Sequence, residues 1–153
     1  MTLFLLLDSG PLGLLTQPRR TVGVLAITEW LSRLVLSGTQ VIVPAIVYYE
    51  LKRELLRANK TAGIERLDAF VNAGPGLYLP LSDEDLRFAA ELWARARQEG
   101  RPTAAPHALD IDVLIVAQAL SLGVSLSEIV VATTNPKHLS QFVDARDWTD
   151  IQS

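Results

Sequence analysis

The stretch LFLLLDSGP at residues 3–11 is the part of the sequence that decides the fold. Five apolar residues in a row are followed by an acid, a serine, a glycine and a proline. A strand that is buried on both faces has such an unbroken apolar run, because neither face meets water. The stretch therefore predicts a buried parallel strand over Leu3–Leu7, with Asp8 at its carboxyl end.

Outward from this stretch, similar apolar runs predict further strands, and longer segments with helical caps separate them. The strands are predicted at Gln40–Val43, Leu77–Leu81, Ile129–Ala132 and Asp147–Ile151. Helices are predicted at Val22–Ser37, from Pro44 to about Asn59, at Gly63–Asn72, from Ser82 to about Gln98, at Asp110–Leu122 and at Pro136–Phe142. Strands that alternate with helices imply a parallel sheet with helices on both faces. The predicted fold class is therefore α/β, with three layers, α/β/α, around a mainly parallel sheet.

The composition limits the classes of protein that fit. The 153 residues suit one domain, residues 1–153, in which Gly100–Pro106 is a loop. Since 49% of the residues are hydrophobic and 20% are charged, the chain is not intrinsically disordered. A net charge of −3 excludes a protein that coats nucleic acid by bulk charge. The absence of cysteine and the presence of only two histidines exclude disulfide scaffolds, thiolate zinc sites and three-histidine zinc sites.

The apolar segments are too short to predict a membrane partner. No stretch approaches the roughly 18 apolar residues of a membrane span. The first residues lack the basic segment of a signal peptide, and Asp8 interrupts their apolar run. The expected location is therefore the cytoplasm.

Acidic and amide side chains fall where the predicted strands end. Asp8 follows the first strand, Glu50 lies two turns into the helix after the second, and Asn135 follows the fourth. Asp110 and Asp112 open the helix that precedes the fourth strand. In parallel sheets the ligand site lies beyond the carboxyl ends of the strands, so these side chains are expected to meet at one edge.

The chemistry of such a group points to a metal and a phosphate. Carboxylates that meet in a cleft repel one another unless a cation joins them. Oxygen ligands without histidine or cysteine suit Mg²⁺ or Mn²⁺. A metal held by acids over the ends of a parallel sheet activates water and neutralises phosphate charge, which predicts cleavage of phosphodiester bonds.

Each of these positions also has a structural explanation. Asp8 is a turn-forming residue before Ser-Gly-Pro, and Glu50 could pair with Arg53 one turn along its helix. One of the two acids that open the next helix is needed as its cap, and Asn135 before a proline is a natural cap as well. The functional interpretation therefore rests on their shared position at one edge of the sheet.

The histidines and the basic residues are interpreted as surface residues. His107 and His138 are expected in surface or capping positions rather than in catalysis. A row of basic residues along one helix is more typical of a solvated face than of an RNA contact. This row consists of Lys52, Arg53, Arg57 and Lys60.

The apolar content of two helices predicts a homodimer. The segments Val22–Ser37 and Pro44–Asn59 carry more apolar residues than one buried face needs. Trp30, Tyr48 and Tyr49 are among the surplus. Surplus exposed apolar area usually marks an interface between molecules.

Four motifs, taken in order, resemble the PIN-domain family. They are Asp8 after the first strand, VIVPAIVYYELKR at 41–53, LDIDVLIVAQA at 109–119 and VVATTNPKHL at 130–139. Within that family the chain is similar to the VapC-type toxin ribonucleases of bacterial toxin–antitoxin pairs. The resemblance extends from Leu3 to about Ile151, and the order and spacing of the motifs carry it.

The resemblance implies a PIN-like domain with metal-dependent endoribonuclease activity on RNA and an antitoxin protein as partner. The family's three acids fall on Asp8, Glu50 and Asp112, which would hold Mg²⁺ or Mn²⁺, and Asp110 is an additional nearby carboxylate. Many members carry a fourth acid where this chain has Asn135, with Thr133 close by. An amide oxygen can bind a hard cation or its water but brings no charge. A catalytically weak PIN-fold module that acts through RNA or protein contacts is therefore the alternative.

Overall fold

A five-stranded sheet, with each strand parallel to its neighbours, runs through the computed structural model, which describes residues 2–100 and 106–152. The strands are β1 (Phe4–Leu7), β2 (Gln40–Pro44), β3 (Leu77–Leu79), β4 (Ile129–Ala132) and β5 (Ala145–Arg146). Their order across the sheet is β3-β2-β1-β4-β5, so β1 lies in the middle between β2 and β4. Residues 101–105, within the predicted loop, lie outside the described residues.

Helices flank the sheet on both faces, which confirms the predicted three-layer α/β/α class. None of the described helices is long and apolar enough to cross a membrane. The helices are α1 (Ser9–Leu15), α2 (Val22–Leu36), α3 (Ala45–Arg57), α4 (Thr61–Asn72), α5 (Asp83–Gln98), α6 (Pro106–Leu120) and α7 (Pro136–Leu139).

The apolar run of β1 is buried because the strand is central. Leu5, Leu6 and Leu7 are fully buried, and β4 is buried along its whole length. Each such leucine contributes about 1.5–3 kcal/mol through the apolar area that it removes from water. The last residues of β1 and β4, Leu7 and Ala132, are partners in the register. The residues that follow the two strands therefore emerge side by side.

A buried glutamine fixes α3 against the sheet. The Oε1 atom of Gln118, on α6, accepts a hydrogen bond from the backbone N–H of Ile46, near the start of α3 (3.2 Å). Its Nε2 donates to the carbonyl of Leu79, at the end of β3 (2.8 Å). Removing this side chain would leave buried backbone groups without a partner, which costs about 1–3 kcal/mol for each group. The glutamine thus determines where α3, and with it Glu50, stands.

Helix α6 begins at Pro106, so the prediction that it opens at Asp110 is wrong. Proline is favoured in the first turn because its missing N–H has no role there. Asp110 and Asp112 lie inside the helix, and neither is its cap. The prediction takes the acids before the apolar segment as the helix cap, but the helix has already begun one turn earlier.

Helix α1 and the last strand also differ from the prediction. The sequence does not predict α1, since Ser, Gly and Pro are weak helix formers, yet Asp8 caps a helix there. The last strand is β5 rather than Asp147–Ile151. The Oδ1 of Asp147 accepts a hydrogen bond from the N–H of Thr149 (3.0 Å), and this bond starts a 3-10 turn at Trp148–Asp150.

Trp30 does not belong to the predicted surplus of exposed apolar residues. It is 4% exposed, and its Nε1 donates to the carbonyl of Ile151 (2.9 Å). Its ring packs on Trp148 with 5.4 Å between the ring centroids. The exposed large apolar residues of α2 are Val22, Leu25, Val35 and Leu36.

Candidate active site

Asp8 lies between β1 and α1 with both carboxylate oxygens hydrogen-bonded. Its Oδ1 accepts from the backbone N–H of Ser9 (2.8 Å), and its Oδ2 accepts from the hydroxyl of Thr133 (2.8 Å). Its own backbone N–H donates to the carbonyl of Ala132, at the end of β4 (2.9 Å). These contacts fix the direction in which the carboxylate points.

Thr133 connects Asp8 to the loop that follows β4. The residue is 1% exposed, and its N–H donates to the carbonyl of Arg146 on β5 (2.9 Å). Its hydroxyl donates to Asp8 and accepts from the backbone N–H of Asn135 (3.1 Å). The hydroxyl therefore uses its donor and an acceptor position at once, and it joins the ends of β1 and β4.

Close packing of α1 on this loop requires glycine at position 10. A Cβ atom on Gly10 would lie 2.7 Å from the side chain of Thr134, which is closer than packed carbon atoms approach. A larger residue at this position would therefore require the Thr134 side chain, or α1 itself, to move.

Asp112, on α6, carries the clearest electrostatic signature of the site. Burial of its carboxyl group, together with the negative charges of Asp8 and Glu50, raises its pKa to about 7. Glu50 is contributed by α3 and is half-buried. Three carboxylates from three parts of the chain thus share one environment.

These side chains line a cavity of about 220 Å³ at the carboxyl edge of the sheet. Its lining consists of Asp8, Ser9, Glu50, Ala108, Ile111, Asp112, Thr133, Thr134, Asn135 and His138. A larger cavity of about 410 Å³ lies beside Leu51 and Leu55, but no acid among the described residues lines it. Of these two cavities, the smaller one therefore carries the carboxylates that could bind a metal ion.

Asp110 does not line this cavity. It is exposed and lines a separate groove between α5 and α6, together with Leu86 and Trp93. Residues two apart on a helix point about 200° away from each other. Asp110 and Asp112 therefore face different sides of α6, and the structure brings only Asp112 to the acidic cavity.

Asn135 and His138 reach the cavity from α7. Asn135 stands at the cap position of α7, but its side chain makes no capping hydrogen bond. His138 lines the cavity too, although the sequence predicts a surface or capping role for it. The signal for His138 is its spacing, because three residues after Asn135 is about one helical turn, which places both on one face.

The structural explanation of Glu50 as a partner of Arg53 is wrong. Arg53 instead stacks over the ring of Tyr49, with 5.3 Å from its Cζ to the ring centroid. Among the described residues, Glu50 forms no salt bridge.

The donor chemistry of the cavity fits a hard divalent cation. The available side-chain ligands are carboxylate, hydroxyl and amide oxygens. Burial and the charges of Asp8 and Glu50 raise the pKa of Asp112, and a bound cation would offset both effects. Within residues 2–100 and 106–152, however, no three acidic or histidine side chains are gathered closely enough to hold an ion as they stand. The three carboxylates line one cavity, but they do not form a closed ligand set.

Comparisons with known proteins agree with this geometry. A family model described as PIN domain matches residues 6–141. No curated protein matches the chain by sequence.

Several solved structures share the fold over nearly the whole chain. VapBC2 from Rickettsia felis, bound to a DNA fragment from its promoter, has a TM-score of 0.71 and 16% identity, with 95% of this chain and 99% of that chain covered. VapBC-1 from nontypeable Haemophilus influenzae has a TM-score of 0.67 and 18% identity, covering 97% and 100%. VapC20 from Mycobacterium tuberculosis, described as a sarcin-ricin loop cleaving toxin, has a TM-score of 0.60 and 15% identity, covering 92% and 97%. At these identities the likeness is one of fold.

Proposed function

This chain belongs to the PIN domain family, and we propose that it is a metal-dependent endoribonuclease with Asp8, Glu50 and Asp112 as its catalytic residues. The observation that carries the proposal is that these carboxylates line one cavity, where burial, together with the charges of Asp8 and Glu50, raises the pKa of Asp112 to about 7. Acids that are strongly perturbed by burial and by a like charge in a cleft mark functional sites.

Each residue of the cavity has a role in this proposal. Asp8, Glu50 and Asp112 would hold Mg²⁺ or Mn²⁺, and the bound cation would neutralise phosphate charge and lower the pKa of water. Thr133 keeps Asp8 oriented toward the cavity through its hydroxyl. The amide of Asn135, which is not used as a helix cap, would contact the scissile phosphate or the attacking water.

Cleavage of a labelled single-stranded RNA with Mn²⁺ tests this function, and α6 offers a matched pair of variants. Asp112→Asn should lower the cleavage rate by about 10³-fold or more, because it removes a carboxylate that would hold the metal ion on which the transition state depends. Asp110→Asn removes the same charge two residues away on the exposed side of the helix and should leave the rate within about twofold. Equal rates for wild type and Asp112→Asn would overturn the proposed site.

The proposal includes the biological setting of a toxin that acts in the cytoplasm and is inhibited by an antitoxin protein. Support comes from the fold that this chain shares with chains of VapBC structures and with VapC20, which is described as a sarcin-ricin loop cleaving toxin. A homodimer is also proposed. The exposed residues Val22, Leu25 and Leu36 of α2 provide apolar area for it.

The second candidate is a PIN-fold binding module with little or no turnover. Two observations favour it, namely the amide at Asn135 in place of a fourth acid and the absence of a closed three-acid group among the described residues. The same assay separates the two functions. A binding module would retain RNA or protein binding, yet wild type would cleave no faster than Asp112→Asn.

A further inference from the structure

Tyr49 and Arg53 form an exposed pair on the outer side of α3. The guanidinium carbon of Arg53 lies 5.3 Å from the ring centroid of Tyr49, and 55% of Tyr49 is exposed. A large aromatic side chain held open to water by a stacked arginine presents a flat, cationic surface. Tyrosine and arginine are the residue types most often found at the energetic centres of binding surfaces.

Arg53 differs from the other cations of its helix in having an uncompensated charge. Lys52 pairs with Asp68 across to α4 (2.7 Å), and Arg57 pairs with Glu54 on α3 itself (2.9 Å). Within the described ranges, Arg53 forms no ion pair. The positive charge of α3 is therefore concentrated at the stacked pair.

The pair stands beside the acidic cavity because Glu50 lines that cavity from the same helix. Tyr49 directly precedes Glu50, and Arg53 follows it by three residues, which is about 4.5 Å along the helix axis. On a helical surface residues three apart are neighbours, so Arg53 flanks Glu50. The pair is therefore adjacent to the part of the cavity wall that Glu50 forms.

We propose that Tyr49 and Arg53 are a stacking platform for a base of single-stranded RNA, next to the phosphate that occupies the cavity. The inference rests on the proposed function and names the surface that holds its substrate. The cavity is acidic and the chain has a net charge of −3, so the RNA backbone needs a local positive charge to approach. A base stacks on an aromatic ring or a guanidinium plane whatever its identity, which predicts binding with little sequence preference from this platform.

Fluorescence anisotropy with a short fluorescein-labelled RNA of mixed sequence, in EDTA to prevent cleavage, tests the platform. Tyr49→Ala and Arg53→Ala should each weaken binding by about 5- to 100-fold. Tyr49→Phe keeps the ring and should bind like wild type. Arg57→Ala removes a charge that is already paired one turn further along and should change binding less than twofold.

Two further measurements identify what the platform contacts. An RNA with abasic sites in place of its bases should bind wild type and Tyr49→Ala equally, since no base remains to stack. In cleavage with Mn²⁺, Tyr49→Ala should raise KM by the same factor as the binding loss and leave kcat within about twofold. Equal losses with abasic and normal RNA would reduce the pair to a general charge effect and overturn the inference.

The outcomes also separate this inference from the proposed function. If wild type neither binds nor cleaves RNA, the proposed function fails and the platform fails with it. If wild type cleaves RNA and Tyr49→Ala has the same KM, only the platform is wrong. A fall from dimer to monomer mass in light scattering of Tyr49→Ala would assign the residue to a subunit contact and would likewise overturn the platform.

Discussion

On the sheet side of the acidic cavity, Asp8 is hydrogen-bonded through both carboxylate oxygens, to Ser9 and Thr133. On the helix side, Asp112 and Glu50 make no side-chain hydrogen bond to any residue within 2–100 or 106–152, and the pKa of Asp112 is raised to about 7. The fold alone therefore determines the position of one carboxylate. The charged form of Asp112 is destabilised by burial and by the charges of Asp8 and Glu50 until a cation or a proton neutralises it.

The largest effect expected from this difference is stabilisation by metal. A cation that bridges the two sides should stabilise the folded protein by about 2.7 kcal/mol at a hundredfold excess over Kd, or about 5–10 °C in Tm. Asn135→Asp should tighten Mn²⁺ binding, because it restores a charge at the cavity. Thermal unfolding and calorimetric titration with Mn²⁺ measure both. An unchanged Tm at saturating Mn²⁺ would show that the carboxylates of Asp112 and Glu50 do not bind a cation.

The next effect concerns the sheet side. Thr133→Val removes the hydroxyl that orients Asp8, and loss of such a support typically costs about 10- to 100-fold in metal affinity or activity. Thr133→Ser keeps the hydroxyl and should retain most of the activity. Cleavage rates of the two variants, with circular dichroism to verify folding, decide the matter. If Thr133→Val were fully active, Asp8 would not need its hydrogen-bonded position.

The smallest effect is a dependence of stability on pH. Asp112 has a pKa of about 7 in the folded protein, against an ordinary value of 3.8. Between these values the folded protein holds a proton that the unfolded chain has released, so this group lowers stability as the pH rises from about 4 to about 7. Asp112→Asn should therefore stabilise the metal-free protein at pH 7.5 by about 1–2 kcal/mol, after allowance for solvent screening of a partly exposed group.

Urea unfolding of metal-free wild type and Asp112→Asn at pH 5 and pH 7.5 measures this difference. Asp110→Asn serves as the control and should follow wild type at both values, because its side chain is exposed. If the unfolding free energies of wild type and Asp112→Asn changed equally between the two pH values, burial and the neighbouring charges would not be raising the pKa of Asp112.

The sequence predicts the sheet well because buried strands carry a local signal. The run at Ile129–Ala132 is found as β4 with the same bounds, and the fold class and family are confirmed. The rule that sites lie at strand ends correctly indicates the edge at which Asp8, Asp112 and Asn135 line one cavity. These placements follow from the order of the elements alone.

The rest depends on helix phase and on contacts between distant residues, which short motifs do not contain. Asp110 is predicted near Asp112, but residues two positions apart on a helix point to opposite sides. The sequence prediction misses this because it places the helix start at these acids, whereas α6 begins at Pro106. The burial of Trp30 depends on Ile151 and Trp148, far along the chain. His138 enters the cavity through the position of α7, which only the packed structure fixes.

The hydrogen bond between Asp8 and Thr133 joins residues 125 positions apart. During synthesis, the first acid leaves the ribosome long before its partner has been translated. The cavity can therefore be assembled only after β4 has emerged and inserted beside β1. A chain translated only as far as α6 already carries Asp8, Glu50 and Asp112, but it lacks the strand and the hydroxyl that hold Asp8 in place.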